Sequence, residues 1–575
     1  MPDEEHENQT DVDRRMIAAC PICQSRRLHY AFSRNFRRMV RCAECGLMLV
    51  NPQPTDEELE AIYGAGYFLG DGDEGGADRV AAMKAATARR YLADIARYRG
   101  ESGGTLLEIG CGRGELIAEA EKLGYQVTGV EISPAAADGA RRRIRGGAIV
   151  CGQVDSAGLT PASFDVCVLS DVLEHVRDPV ALLKSVHRML KPGATLFVAT
   201  PSLDSWSARL LRQNWMEFKP EHLTYFDANT IQSALFQSGF AGAIVRPGWK
   251  VLNLAYVSEH FGRFQVPMVG GAVRLAARLA PRRIRHADFT VVASGMIVLA
   301  RQAALPARRK LSIIVPAYNE AATLESLLQG LLRKRIADLD IEIILVESNS
   351  SDGTRDIALQ YANHPRLRLI LQDHARGKGY AVRAGLAAAT GDFILIQDAD
   401  LEYDLEDYDA LLEPLLQGRE ALVLGSRHGG RVWWKMRRFA DQRLLSLLTN
   451  CGHWLFTAML NFMFRQRLRD PFTMFKVFRR DCLTGLEFRC NRFDFDIELL
   501  ARLLGKGYKP VEIPVNYRSR SYRQGKKVNP VRDPWTWLWA LVRLRLTRSD
   551  LLAAVERRRL TDPAPIAAPA RTRAA

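Results

Sequence analysis

Two stretches near the N-terminus of this 575-residue chain have residue types and spacings suited to chemistry. Cys20-Pro-Ile-Cys23 and Cys42-Ala-Glu-Cys45 are two C-x2-C pairs separated by eighteen residues. That spacing suits four thiolates around one tetrahedral Zn2+. With all four positions filled by protein the zinc is structural, holding about forty residues that are too few to bury a core unaided. A redox dithiol is the other reading of the pairs. Further on, a strand-like run containing Glu108 leads into Gly110, Gly112 and Gly114 and then a helix. Glycines there let the backbone bend tightly and approach a ligand with helix N–H groups facing it. The third glycine follows the second by two residues, not by three as in the dinucleotide fingerprint. Glu131 closes the next strand about twenty residues on, where a carboxylate can accept hydrogen bonds from ribose hydroxyls.

The second half has a different constellation. Val315-Pro-Ala-Tyr-Asn-Glu320 ends a strand and starts a helix, which places Glu320 at the carboxyl edge of a sheet, where ligands bind. Glu347 ends the next strand, and Ile394-Leu-Ile-Gln-Asp-Ala-Asp400 follows. In an extended segment Asp398 and Asp400 point the same way. Such a pair suits one Mg2+ or Mn2+ against a diphosphate, whose leaving-group charge needs a cation.

These residues need a frame to hold them. Strand-length apolar runs alternate with helix-period segments in both halves, which is the pattern of α/β domains with parallel sheets covered by helices. The expected organisation is a disordered start (1–15), a zinc ribbon (16–55), a Rossmann-like α/β domain (75–302), a linker (303–310), a second Rossmann-like domain (311–550) and a disordered tail (562–575). Cys111, Cys151, Cys167, Cys451, Cys482 and Cys490 read as ordinary apolar packing. The polar, acidic start is unlike a secretory signal, and no run reaches the roughly 18 uncharged apolar residues of a spanning helix, so a cytoplasmic location is expected.

Net charge is +15, and basic clusters lie late in the chain, mixed with Trp433, Trp434, Trp454, Trp535, Trp537 and Trp539. This composition fits either a peripheral contact at the inner face of a membrane or a solvated basic face with tryptophans in the core. No motif for specific nucleic-acid recognition is present.

At the glycine loop, Glu131 and Phe164 to Pro179, the first half resembles class I S-adenosylmethionine-dependent methyltransferases, in a subgroup that carries an N-terminal zinc module. The resemblance implies that Gly110, Gly112 and Gly114 pass the methionine part, that Glu108 at the end of the preceding strand is also cofactor-binding, that Glu131 binds ribose, and that Asp155 lies near the adenine. It places His175 and His222 on the acceptor side, where a histidine can remove a hydroxyl proton or sit as a satisfied buried residue.

The second half resembles inverting family-two glycosyltransferases with the GT-A fold, and within them the dolichyl-phosphate mannose and glucose synthase branch. Arg376-Gly-Lys-Gly379, Asp470 to Lys476 and Phe493 to Glu498 carry that likeness. It implies that Pro316, Tyr318, Glu320 and Glu347 contact the nucleoside, Lys378 the phosphates, and Asp398 and Asp400 the metal. Relatives commonly have a second acid where this chain has Ser348, which leaves base recognition open. For a hydroxyl acceptor Asp496, with Asp494 in reserve, is the expected base; a helix-start carboxylate is the other reading. A lipid-phosphate acceptor needs no base, and Arg518, Arg520, Lys526 and Lys527 would orient it. The expected function is a bifunctional transferase using S-adenosylmethionine and a nucleotide-sugar donor, acting on a glycan or polyprenyl-phosphate acceptor. The alternative is glycosyl transfer alone, with the first half as a cofactor-binding or docking module.

Overall fold

The computed structural model describes residues 16–63, 76–263, 269–303, 308–428, 443–518, 532–547 and 550–561. Both expected disordered ends, Trp433, Trp434, Arg520, Lys526, Lys527 and 304–307 of the 303–310 linker lie outside these residues. The cysteine module contains β1 (Leu28–Arg34), β2 (Arg37–Cys42) and β3 (Met48–Val50). The rest of the first half contains β4 (Gly104–Ile109), β5 (Tyr125–Glu131), β6 (Ala148–Cys151), β7 (Phe164–Ser170), β8 (Leu190–Pro201), β9 (Thr224–Tyr225), β10 (Phe240–Leu252) and β11 (Phe289–Gln302). The second half contains β12 (Arg309–Ala317), β13 (Leu339–Glu347), β14 (Leu367–Leu371), β15 (Phe393–Ile396), β16 (Leu422–Ser426), β17 (Lys476–Arg479) and β18 (Val511–Pro514).

Each half has a seven-stranded sheet, in the orders β10-β11-β8-β7-β4-β5-β6 and β14-β13-β12-β15-β17-β16-β18. The interior strands are apolar on both faces, as in Ile343 to Val346 and Phe393 to Ile396, because helices cover both sides. The sheets are mixed rather than all parallel: β11 runs antiparallel to β8 and β10, and β17 antiparallel to β15 and β16. Chain order reverses between β4 and β7 in the first sheet and between β12 and β15 in the second. Crevices open outside the carboxyl ends of strands at such points.

The module is not a free-standing knob. Its sheet, β1-β2-β3-β9, takes the last strand from the first α/β domain, with Met48 opposite Tyr225. Trp215, Phe218 and Tyr225 pack there with Met39, Met48 and Val50. The two halves also touch directly. Helix Ala228–Gln237, closed by an Asp227/Thr230 capping box, sends Gln232 Nε2 to the Lys506 carbonyl (3.3 Å) and Gln237 Nε2 to that of Gly418 (2.9 Å). Arg479 lies over the Phe236 ring, 4.0 Å from its centroid.

The chain finally returns to the first domain: Leu552, on helix Leu551–Thr561, is fully buried in that core, and Glu556 forms a two-pronged ion pair with Arg97. Cys111, Cys167, Cys482 and Cys490 are buried as expected, but Cys151 and Cys451 are exposed, so packing does not account for those two. Trp537 stacks on Phe472, whereas Trp535 and Trp539 face outward. Among the described residues no helix is long and apolar enough to cross a membrane.

Candidate functional sites

In the first crevice the loop after β4 follows from its glycines. Gly110, Gly112 and Gly114 have φ of 70°, 53° and 82°, the left-handed region that side chains avoid. A Cβ on Gly110 would lie 2.5 Å from Val172 Cγ2, so the loop can only close against the end of β7 with glycine there. Glu131 ends β5 and accepts from Gly112 N (2.8 Å) and Ser133 N (2.9 Å), which fixes its carboxylate beside the loop. Glu108 lies underneath, and burial raises its pKa well above the carboxylate range. Its position suits support of the loop more than contact with a ligand. Asp155 is exposed, paired with Arg188 at 2.9 Å.

His175 and His222 come together, with ring centroids 4.7 Å apart. His175 follows β7, and His222 sits two residues before β9, the strand shared with the cysteine module. His175 Nδ1 is 3.2 Å from the Glu221 carbonyl, which can only accept, so that nitrogen carries the hydrogen. Burial and the charge of Lys219 lower His175 to about 4, and burial together with His175 holds His222 well below its usual value. Both rings are therefore neutral near pH 7. Sequence reasoning missed their neighbours: Glu174, pushed up to about 8 by burial and Asp171, and the Glu217–Lys219 and Asp171–Lys250 pairs. Only the acidic and basic types around His175 and His222 hinted at them.

The four module thiols are buried and mutually close, with Cys20 and Cys45 sulfurs 3.5 Å apart and those of Cys23 and Cys42 3.4 Å apart. A tetrahedron of ordinary Zn–S bonds has edges of about 3.8 Å, so the donor set fits zinc.

In the second crevice, Asn319 N donates to Ser350 Oγ (2.9 Å) and Glu320 N to Thr354 Oγ1 (2.8 Å), locking the loop after β12 to the loop after β13. Pro316 is half-buried near the end of β12, and Tyr318, two residues on, is 40% exposed. Glu347 is fully buried, and its carboxylate accepts from Ser350 N and Arg355 Nε. It organises the loop. Ser348 donates to Gln372 Oε1 at 2.9 Å, and Gln372 Nε2, which the sequence did not single out, is buried without a hydrogen-bond partner.

The acidic pair is not in extended backbone, as the sequence suggested. Strand β15 stops at Ile396, and Asp398 to Leu401 form a turn in which Leu401 has φ 55°. The turn is pinned where Thr323 Oγ1 donates to the Ala399 carbonyl (2.7 Å) and Glu402 N to Asp400 Oδ1 (3.2 Å).

Lys378, at the start of helix Lys378–Ala388, forms an ion pair with Asp398. Burial disfavours its ammonium, but Asp398 and Asp496 outweigh burial and raise its pKa. Asp496, in the first turn of helix Phe495–Gly505, lies 3.9 Å from Lys476 Nζ with Oδ1 unpartnered. Burial raises its pKa against the pull of Lys476 and Lys378. The two helix starts approach so closely that a Cβ on Gly379 would meet Phe495 Cβ at 2.5 Å.

Asp398, Asp400, Lys378 and Asp496 thus share one electrostatic cluster. Asp494 instead accepts from Arg492 N in a local turn. Arg518 is exposed at the rim, its N–H donating to the Glu402 carbonyl (2.9 Å). Lys476, already within a quoted motif, is the residue the sequence reading left without a role.

The family described as "Glycosyl transferase family 2" matches residues 312–485, and "Methyltransferase domain" matches residues 83–243. The chain joins a methyltransferase domain to a family 2 glycosyltransferase domain. The second domain is similar to the glycosyltransferase AglD of Haloferax volcanii, 29% identical over 266 residues, covering 44% of this chain and 41% of the relative. It is 27% identical over 221 residues to the dolichol-phosphate mannosyltransferase of Pyrococcus furiosus, covering 38% of this chain and 59% of that one.

The chain therefore spans well under two thirds of these relatives. Solved structures to which the chain is similar include a SAM-dependent methyltransferase from Thermotoga maritima (TM-score 0.26, 20% identity, 38% of this chain and 92% of that one). Glucosyl-3-phosphoglycerate synthase of Mycobacterium tuberculosis is another (TM-score 0.32, 23% identity, 42% of this chain and 81% of that one).

Proposed function

We propose that the two domains of this bifunctional transferase act on one glycan or glycolipid: a methyl group from S-adenosylmethionine, and a sugar from a nucleotide-sugar passed with inversion to a glycan or polyprenyl phosphate. The observation that carries the sugar-transfer reading is the gathering of Asp398, Asp400, Lys378 and Asp496 at the second crevice. The division into a zinc ribbon, a methyl-transfer domain of about 75–302 and a sugar-transfer domain of about 311–550 fits the two sheets.

A half-buried lysine held on Asp398, with Asp400 and Asp496 close by, marks a strongly negative pocket, which fits Mg2+ or Mn2+. Asp398 and Asp400 would hold that ion, and it would neutralise charge on the departing diphosphate. Lys378 is within reach to turn from Asp398 to a phosphate oxygen. Tyr318 and Gln372 would bind the base, and Glu320 and Glu347 would shape the loops around it. Asp496, desolvated and raised, takes the proton of a hydroxyl acceptor at Oδ1. With a phosphate acceptor it has no proton to take, and Arg518, with Arg520, Lys526 and Lys527, would steer the anion.

In the first crevice Gly110, Gly112 and Gly114 with Glu131 would seat S-adenosylmethionine, whose sulfonium supplies the methyl group. That the Pyrococcus furiosus relative is a dolichol-phosphate mannosyltransferase by name favours a polyprenyl phosphate and with it a peripheral membrane contact.

A donor screen with UDP-, GDP- and dTDP-sugars and Mn2+, run with polyprenyl phosphate and with a sugar hydroxyl acceptor, tests this reading. If the acceptor is a hydroxyl, Asp496→Asn lowers kcat by about 10^2-fold or more. The wild-type acid limb then lies above the ordinary carboxylate range, because the base works only when ionised and is lost as pH falls through its raised pKa. If the acceptor is the phosphate, Asp496→Asn changes kcat by less than about fivefold. No transfer from any donor to either acceptor would refute the sugar-transfer reading.

A further inference from the structure

Glu174, His175 and His222 each present a ligand atom within 4.8 Å of the others. They stand outside the zinc module and outside the sugar site. We propose that these three residues form a second transition-metal site, one that binds a divalent ion such as Zn2+, Mn2+ or Fe2+ on the acceptor side of the methyl-transfer crevice.

Two buried atoms in the cluster lack hydrogen-bond partners. Glu174 is 1% exposed and its Oε1 has none; His222 is 3% exposed and its Nδ1 has none. Buried polar atoms in folded proteins are nearly always partnered, so these two point to a ligand between them.

The remaining atoms of the same groups are held in the way metal ligands are held. Thr200 Oγ1 donates to Glu174 Oε2 at 2.9 Å, and His175 Nδ1–H donates to the Glu221 carbonyl, which turns Nε2 into the coordinating nitrogen. Backbone bonds tie the two segments together: Leu223 N donates to the Glu174 carbonyl at 2.7 Å.

Charge agrees with this assignment. Lys250 pairs with Asp171 (3.0 Å) and Lys219 with Glu217 (3.2 Å), and Glu174 forms no ion pair among the described residues. A bound dication would hold its carboxylate in the ionised form. Two imidazoles with one carboxylate favour borderline metals over Mg2+ or Ca2+. Metal–ligand bonds of about 2.0–2.2 Å put tetrahedral ligand atoms about 3.4 Å apart, so the cluster has to contract by on the order of 1 Å.

The site lies next to the donor loop, since Val172, two residues before Glu174, is the residue Gly110 closes against. Three protein ligands leave an open position, as in catalytic metal centres. The chemistry rests on the methyl-transfer reading, although metal binding itself does not. An acceptor hydroxyl bound at the open position loses its proton to solvent more readily. Its oxygen then forms the bond to the methyl carbon as the carbon–sulfur bond breaks, and that electron pair stays on sulfur.

The test is cobalt substitution in the full chain carrying Asp400→Asn, without nucleotide. Co2+ in the cysteine module gives strong thiolate charge-transfer absorption; Co2+ on two histidines and a glutamate gives d–d bands without it. The expected result is a second cobalt equivalent with no added thiolate absorption, lost in both His222→Gln and Glu174→Gln, while melting temperature and affinity for S-adenosylmethionine change little. If cobalt saturates at the thiolate equivalent alone in the parent protein, the proposal is overturned, whether or not the variants fold. Cobalt binding as expected with no affinity for S-adenosylmethionine would instead sink the methyl-transfer reading and leave the metal site standing.

Discussion

Replacing Asp400 by Asn is expected to lower sugar transfer by roughly 10^3-fold while leaving methyl transfer within about twofold. Asn keeps the size and the local bond from Glu402 N to the Oδ1 position, so the turn after β15 survives. What is lost is one negative charge where the diphosphate leaves. Asp398→Asn should be as severe for sugar transfer and adds a second symptom: Lys378 loses its ion-pair partner and is free to hold the phosphates by itself. Nucleotide affinity in that variant should become less dependent on Mn2+ as kcat falls. Parallel assays of both activities on one preparation provide the check. Equal loss of both would mean that the substitution unfolded the protein or that the sites are not separate.

The second large effect is expected from Cys45→Ser. Apparent binding energies of structural zinc sites, about 10–16 kcal/mol, rival the 5–15 kcal/mol stability of a whole domain. In the cysteine module zinc would join the two C-x2-C turns. Its strand β3 pairs with β9, and Val50 N donates to the Leu223 carbonyl at 3.0 Å, so the module holds the residue next to His222 in place. Loss of zinc should release that segment and lower methyl transfer by about 10^2-fold or more. The affinity for S-adenosylmethionine should change much less, because the glycine loop and Glu131 are built on β4 and β5, away from the module. Sugar transfer should persist. Zinc content, calorimetry and the two activities measured on the variant separate these outcomes.

Much of the frame was legible because its signals are local. Leu367 to Leu371 and Phe393 to Ile396 are apolar-rich runs of strand length in the sequence, and each is a strand. The glycine loop was legible for the same reason, since its three positive φ values leave only glycine. Three features were not. Strands β10 and β11 are 13 and 14 residues long, carry bulges and are separated by helices, so their pairing is a long-range property that periodicity does not encode.

Strand β17 begins with Lys476 and ends with Arg479, both buried, which breaks the apolar pattern that marks an interior strand. The acidic pair was read as extended, whereas a left-handed Leu401 turns it, a conformation its residue type does not announce. At the sites, the motifs named Asp398, Lys378 and Asp496, but Glu174, Gln372 and Lys476 emerged only when folding brought distant segments together. Their unpaired atoms and buried charge have no sequence signature.

The most direct test of two independent donor pockets in one chain is a calorimetric titration of S-adenosylmethionine into the full protein, alone and then saturated with Mn2+ and UDP or GDP. The two crevices lie on separate sheets, so S-adenosylmethionine should bind near one equivalent in both experiments, with its affinity changing by less than about twofold. Absence of binding, or displacement of S-adenosylmethionine by the nucleotide, would contradict the account.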